Sequence, residues 1–324
     1  MLISLIVLIS SLLTVLVVMP RAIPALRNLK FGQEIRDEGP DWHQKKSGTP
    51  TMGGIVILLA LLVGFLVSIV FGEIVFGEAV VGFGTLLFVT LAFGIIGFLD
   101  DYIKVVNKRN LGLTSLQKLI GQIIVSVLFV WFLSLGGGLD TTISIPFTSI
   151  AFDTGWFYIA IVIFWLVGFS NAVNLTDGLD GLVSFSAIPT FAFFGIYALG
   201  QDEVGIAWFA FSTVGALLGF LVFNKYPAKI FMGDTGSLAL GGAVAGLALM
   251  LKLELLLVFV GIIFVIETLS VILQVISFKT TGKRIFKMSP IHHHFEMVGW
   301  SEWRIVLTFS GISLITAVLS LLLM

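Results

Sequence analysis

No cysteine occurs anywhere in these 324 residues, so disulfides, thiolate metal sites and cysteine nucleophiles are excluded at the outset. Charge is scarce too. Only 11% of the chain is Asp, Glu, Lys or Arg, against 58% hydrophobic residues, and a mean hydropathy of +1.10 excludes a water-soluble globule. No H-E-x-x-H helix is present, and the glycine-flanked segment FMGDTGS lacks the Lys-Ser/Thr end of a Walker loop, which removes the usual intramembrane zinc protease and the P-loop nucleotide binder. There is no internal repeat, low-complexity tract or linker, so residues 1–324 read as a single integral membrane domain.

Long apolar runs dominate what is there. A crossing helix needs about 20 residues, and runs of that order lie at 1–19, 52–71, 79–99, 117–134, 156–173, 182–199, 205–223, 237–251, 255–277 and 304–323. They predict an all-α polytopic membrane protein with about ten transmembrane helices. The first run has no basic leader and no A-x-A-like cleavage site, so it reads as a retained span. Of the 18 Lys and Arg, all but Lys252 fall in or beside the first, third, seventh and ninth loops. Short cytoplasmic loops hold an excess of such residues, so both termini are expected outside and the odd-numbered loops in the cytoplasm. The outer loops are bland; the Thr/Ser-rich TTISI stretch reads as a small hairpin.

Polar chemistry collects in five cytoplasmic loops, which places the expected active site at the cytoplasmic face. Asp100 and Asp101 end the run GTLLFVTLAFGIIGFL; solvation at the membrane boundary would account for them, but two adjacent carboxylates coexist more easily beside Lys104 or a cation. A hard ion such as Mg²⁺ suits their oxygens. In NAVNLTDGLDGL (171–182) the residues Asn171, Asn174, Asp177 and Asp180 recur every three positions, with Gly178 and Gly181 beside the carboxylates. On a helical turn that spacing gives one polar stripe; a helix cap is the simpler reading, but one side chain suffices to cap. FMGDTGS (231–237) sets Asp234 between glycines before another apolar run, where backbone N–H groups favour an anion and the carboxylate suits its metal. Phe231 could stack on a nucleobase or simply pack in the core.

Glu267 lies inside the ninth run, seven residues before Gln274. An ionisable residue there is a functional candidate by default, and a neutral acid bonded to a neighbouring helix is the alternative. His292, His293 and His294 are consecutive, so on a regular backbone they cannot all face one ion. At least one of them, with Lys287 nearby, is expected to donate hydrogen bonds to a bound substrate.

In this order, KSGTPTMGG (46–54), DDYIK (100–104), NAVNLTDGLDGL, GDTGS (233–237) and PIHHHFEMVGW (290–300) closely resemble the phospho-N-acetylmuramoyl-pentapeptide transferases, the translocase I family. The aspartate motifs are shared across the wider superfamily of polyprenyl-phosphate N-acetylhexosamine-1-phosphate transferases, whereas TPTMGG and HHHFE point to this branch. The resemblance covers essentially the whole chain. It implies attack of undecaprenyl phosphate on the β-phosphate of UDP-N-acetylmuramoyl-pentapeptide, giving lipid I and UMP with Mg²⁺ required, in the bacterial cytoplasmic membrane; it also suggests a homodimer, and no nucleic-acid partner is expected.

By that similarity Asp234 is the Mg²⁺ ligand, and Asp100 and Asp101 position or deprotonate the lipid phosphate and assist the metal. Asn174, Asp177, Gly178 and Asp180 would line the nucleotide site, with Asn224 nearby and Phe231 on the uracil. Lys46, Thr51 and Lys104 are candidates for holding phosphate charge. Both a covalent phospho-aspartate route and direct attack by the lipid fit this residue set. A sister transferase using another UDP-sugar fits the same motifs. A secondary transporter is the rival from another class, but it would place polar groups near the midplane and show a repeat.

Overall fold

The computed structural model describes residues 1–28, 48–71, 77–106, 111–135 and 139–324. Helices account for nearly all of the regular structure: α1 (Leu2–Asn28), α2 (Gly54–Phe71), α3 (Glu78–Val106), α4 (Ser115–Ser134), α5 (Phe157–Thr176), α6 (Leu182–Gly200) and α7 (Val204–Asn224), followed by α8 (Gly233–Met250), α9 (Glu254–Val260), α10 (Ile262–Thr281), α11 (Ile291–Met297) and α12 (Glu302–Leu323). Between α4 and α5 lies the expected hairpin, β1 (Thr142–Ser144) antiparallel to β2 (Ala151–Asp153), with Ile143 opposite Phe152.

Among the described residues nine helices are long and apolar enough to cross a membrane, one fewer than the ten runs read from the sequence. The difference is α8. It begins with Gly-Asp-Thr-Gly-Ser and is rich in Gly and Ala, so it is less apolar than the others, yet every residue from Thr235 to Leu249 is buried. Its main neighbours are α3 and α5, and small side chains let them close in: Gly241 packs on the Phe169 carbonyl and Gly242 on the Phe93 ring. In a bilayer, where lipid is as apolar as leucine, such close packing is what holds helices together.

The run at 255–277 is also not one helix. It breaks at Gly261 between α9 and α10, and the Val260 carbonyl at the break accepts from Thr190 Oγ1 at 3.1 Å, which gives that carbonyl a partner away from water. Elsewhere the bundle is tied by hydroxyls: Ser11 and Ser212, on α1 and α7, lie 2.7 Å apart, and Ser11 also donates to Ala60 O of α2.

The 20 residues of α5 separate its two ends by roughly 30 Å. At its start, Tyr158 donates to Glu254, and Lys252 stacks 4.1 Å from the Tyr158 ring centroid while its ammonium bonds Asp140 O at 2.6 Å. The one basic residue outside the basic loops therefore pins the stretch leading into the hairpin to the α8–α9 turn. At the other end of α5 stand Asn174 and Asp177.

Candidate active site

Asp100 and Asp101 lie within α3 rather than at its end, because the helix continues to Val106. They are 1% and 3% exposed, so solvation at a membrane boundary does not account for them. Each has a distinct partner. Asp101 accepts from the backbone N–H of Asp234 (3.2 Å) and Thr235 (2.9 Å) and from Thr235 Oγ1 (2.7 Å), capping the start of α8 with a carboxylate where the helix dipole favours one. Asp100 Oδ1 accepts from Leu113 N at 2.7 Å, which fixes the approach to α4. That helix opens with a capping box between Thr114 and Gln117 and so presents Lys118 in its first turn.

Asp234, in the first turn of α8, completes the group. Carboxylate oxygens of Asp100, Asp101 and Asp234 lie within 4.8 Å of one another. Lys104 Nζ sits 2.6 Å from Asp100, 3.2 Å from Asp234 and 4.0 Å from Asp101. Lys118 Nζ lies 2.6 Å from Asp234 and 3.2 Å from Asp100, and Asn174 Nδ2 donates to Asp234 Oδ1 at 3.0 Å. With three carboxylates against two ammonium groups, one negative charge remains uncompensated. An all-oxygen donor set with surplus negative charge fits a hard divalent cation such as Mg²⁺ rather than zinc or copper.

Lys118 was not among the residues singled out from the sequence. In the sequence it is one of many basic residues on that side; only the fold of α4 brings it onto Asp234. Lys104 was singled out, and it stands among the carboxylates. Lys46 lies outside the described residues.

The TPTMGG segment lies against the start of α8. Phe231 N donates to Pro50 O (2.8 Å), Gly53 N to Phe231 O (2.9 Å) and Gly54 N to Met232 O (2.9 Å). Thr51 is buried, and a methyl built on Gly233 would come within 2.9 Å of its hydroxyl and 2.6 Å of Asp101 Oδ2. Thr51 therefore touches the backbone that carries Asp234, and half-buried Phe231 belongs to the same clasp.

The stripe at 171–182 divides among several tasks. Asn171 bonds Gln122 Oε1 at 3.0 Å beneath the aspartates, and Asn174 bonds Asp234 and Ser237. The helix ends at Thr176, leaving Asp177 and Gly178 in a turn. Burial, and then the neighbouring carboxylates of Asp234, Asp101 and Asp180, push Asp177 up to about 8. Asp180 accepts from Ala228 N at 2.9 Å. Asn224 is buried, accepting from Gly181 N at 3.1 Å and donating to Ile230 O at 2.9 Å. Those two side chains fasten neighbouring loops to each other.

The three histidines of α11 diverge, as their spacing requires. His292 is fully buried with Nδ1 3.0 Å from Glu267 Oε2. His293 Nδ1 lies 2.7 Å from Glu296 Oε2, and His294 Nδ1 accepts from Lys287 N at 3.1 Å. Lys287 Nζ donates to the Met297 carbonyl at 2.9 Å, so its ammonium closes the C-terminal end of the same helix.

Sequence similarity to known proteins falls in one family. Residues 83–252 match the family described as glycosyl transferase family 4, and residues 46–58 match phospho-N-acetylmuramoyl-pentapeptide-transferase signature 1. A phospho-N-acetylmuramoyl-pentapeptide-transferase from Listeria monocytogenes serotype 4b is 58% identical over 303 residues, and one from Bacillus anthracis is 57% identical over 302. Each alignment spans 93% of this chain and 92% of the relative.

Proposed function

This chain belongs to the phospho-N-acetylmuramoyl-pentapeptide-transferase family of phosphotransferases, and on that footing we propose that it transfers phospho-N-acetylmuramoyl-pentapeptide from the UDP-linked donor to undecaprenyl phosphate, yielding lipid I and UMP, in the bacterial cytoplasmic membrane. The observation that carries the proposal is the convergence of Asp100, Asp101 and Asp234 with Lys104 and Lys118 at one end of a bundle of membrane-crossing helices. Both reactants are anions and one is a lipid. A site with spare negative charge for a cation, two lysines to screen phosphate, and a bilayer at its side answers all three demands.

Asp234, with Asp100 and Asp101 beside it, would hold Mg²⁺, which when bound neutralises phosphate charge and polarises the phosphoryl group. Lys104 and Lys118 have flexible stems and then turn from the carboxylates to phosphate oxygens. Asp100 or Asp101 orients or deprotonates the lipid phosphate, while Asn174 steadies Asp234. Asp177 and Gly178 border the nucleotide side, and Asp180, Asn224, Thr51 and Phe231 support it by fixing the loops around it. A histidine of α11 donates to the pyrophosphate or sugar. A homodimer is part of the same family-based reading, and chemical cross-linking in native membranes tests it.

A transferase assay offering UDP-N-acetylmuramoyl-pentapeptide, UDP-GlcNAc and UDP-GalNAc in competition is expected to consume the first alone. Consumption of another donor would move the chain to a sister branch. A cation in the centre favours ionised Asp177, so the apparent Mg²⁺ affinity is expected to rise with pH until Asp177 has lost its proton near pH 8 and then level off. A flat Mg²⁺ activation constant between pH 6 and 9 would remove Asp177 from the cation's surroundings.

The orientation proposed from the basic loops is read directly by labelling. A single cysteine replacing Lys283 should react only from the cytoplasmic side, and one replacing Thr142 only from outside. The cysteine-free background needs no preliminary substitutions; the reverse pattern would invert the topology.

A further inference from the structure

Glu267 has no role in the chemistry above, yet it lies in the second turn of α10 with no exposed surface. A carboxyl group inside a crossing helix is costly and needs a partner. Its close polar neighbour is His292, the second residue of α11, which is equally buried, with Nδ1 3.0 Å from Glu267 Oε2. The 3.0 Å contact is an ion-pair distance rather than an aligned hydrogen bond, and neither side chain makes a hydrogen bond to any described residue.

The opposite edge of the ring meets the turn after α5. A methyl built on Gly178 would lie 2.2 Å from His292 Nε2 and 2.7 Å from Cε1, so the imidazole is wedged between Glu267 and this glycine. The turn is joined to the aspartate centre through its other neighbour: Asp177 N donates to Asn174 O at 3.2 Å, and Asn174 holds Asp234. A partner on one imidazole nitrogen sets both the ring's orientation and what the other nitrogen offers. A carboxylate oxygen 3.0 Å from Nδ1 favours a proton on that nitrogen, and Nε2 is the edge that faces the turn.

We propose that Glu267 is a positioning residue for the transfer reaction: it holds His292 by Nδ1, and the ring in turn holds the Asp177–Gly178 turn in place beside the aspartate centre. The proposal rests on the transferase reading of that centre for its kinetic consequence, but not for the state of the ring. Glu267 itself touches neither the aspartates nor Lys104 and Lys118.

The chain has four histidines, few enough for ¹⁵N-histidine NMR on the full-length protein in detergent, with His292 assigned by its loss in His292→Gln. The expected result is a proton on His292 Nδ1 in the unmodified chain; an unprotonated Nδ1 overturns the proposal whatever the donor turns out to be. In the transfer assay, Glu267→Gln keeps the volume and is expected to lower kcat by about 10–100-fold, as loss of a partner that orients a functional histidine does. In a His292→Gln background the same substitution should cost about twofold or less, because residues acting as one unit are non-additive. Equal losses in both backgrounds would mean that Glu267 acts independently of His292. If no donor is consumed at all, the transferase reading fails while the NMR result stands on its own.

Discussion

Asp234→Asn is expected to lower kcat by on the order of 10³-fold or more, because a Lewis-acid cation supplies several kcal/mol of charge stabilisation and each ~1.4 kcal/mol is tenfold in rate. Asparagine keeps the volume and can still accept from Asn174. It cannot serve both remaining needs: one amide oxygen would replace two carboxylate oxygens, and its NH₂ group would face the ammonium groups of Lys104 and Lys118, now 3.2 and 2.6 Å from Asp234. The centre then holds two carboxylates against two lysines, and its surplus negative charge disappears. Steady-state transfer over a Mg²⁺ series, with a thermal-melt check that the variant is folded, reads the effect. Near-parental turnover at low Mg²⁺ would show that Asp234 does not hold the cation.

The second large effect is expected at a glycine that bears no polar side chain, where α2 packs against the start of α8. A methyl built on Gly54 would lie 2.2 Å from Gly236 N and 2.4 Å from its Cα. Both are backbone atoms, so no rotamer change can relieve the overlap. The start of α2 must move off the start of α8, breaking the bond from Gly54 N to Met232 O. Overpacking costs about 1–3 kcal/mol, sometimes more, and a shift of about 1 Å at a catalytic group can cost about 100-fold in rate. Gly54→Ala should therefore lower both the melting temperature and kcat, the latter by about 100-fold. Gly168→Ala, where the added methyl meets nothing within 4 Å, is the control and should be near neutral. Parental melting and turnover in Gly54→Ala would show that the two helix starts do not touch.

Much of the architecture was legible in the residues because apolar runs of crossing length admit few other readings. The break at Gly261 was not, since a glycine in an apolar run does not announce whether the helix stops there. Nor was the enclosure of α8, whose small residues become meaningful only once Phe93 and Phe169 are found against them. The aspartates could be named motif by motif, with the family resemblance supplying their association; composition alone does not bring Asp100 to a residue 134 positions later. Lys118 escaped because the chain marks it no differently from its basic neighbours. Asp180 and Asn224 looked like Asn174 on the page, since a polar side chain that ties two loops and one that faces a ligand have the same letter. Family resemblance offers Thr51 as a phosphate-holding candidate, and the structure gives the glycines beside it a packing reason.

The enclosure of α8 also constrains how the protein is made. Presented alone to the insertion machinery, a segment that opens on an aspartate and is filled out with Gly and Ala partitions poorly into lipid, since Leu, Ile, Phe and Val supply the favourable insertion energy and it has few of them. Its main packing partners, α3 and α5, both precede it in the chain, so they are already synthesised when α8 leaves the ribosome. They can receive it into a protein-lined slot, which makes Asp234 the last of the three clustered aspartates to enter the membrane.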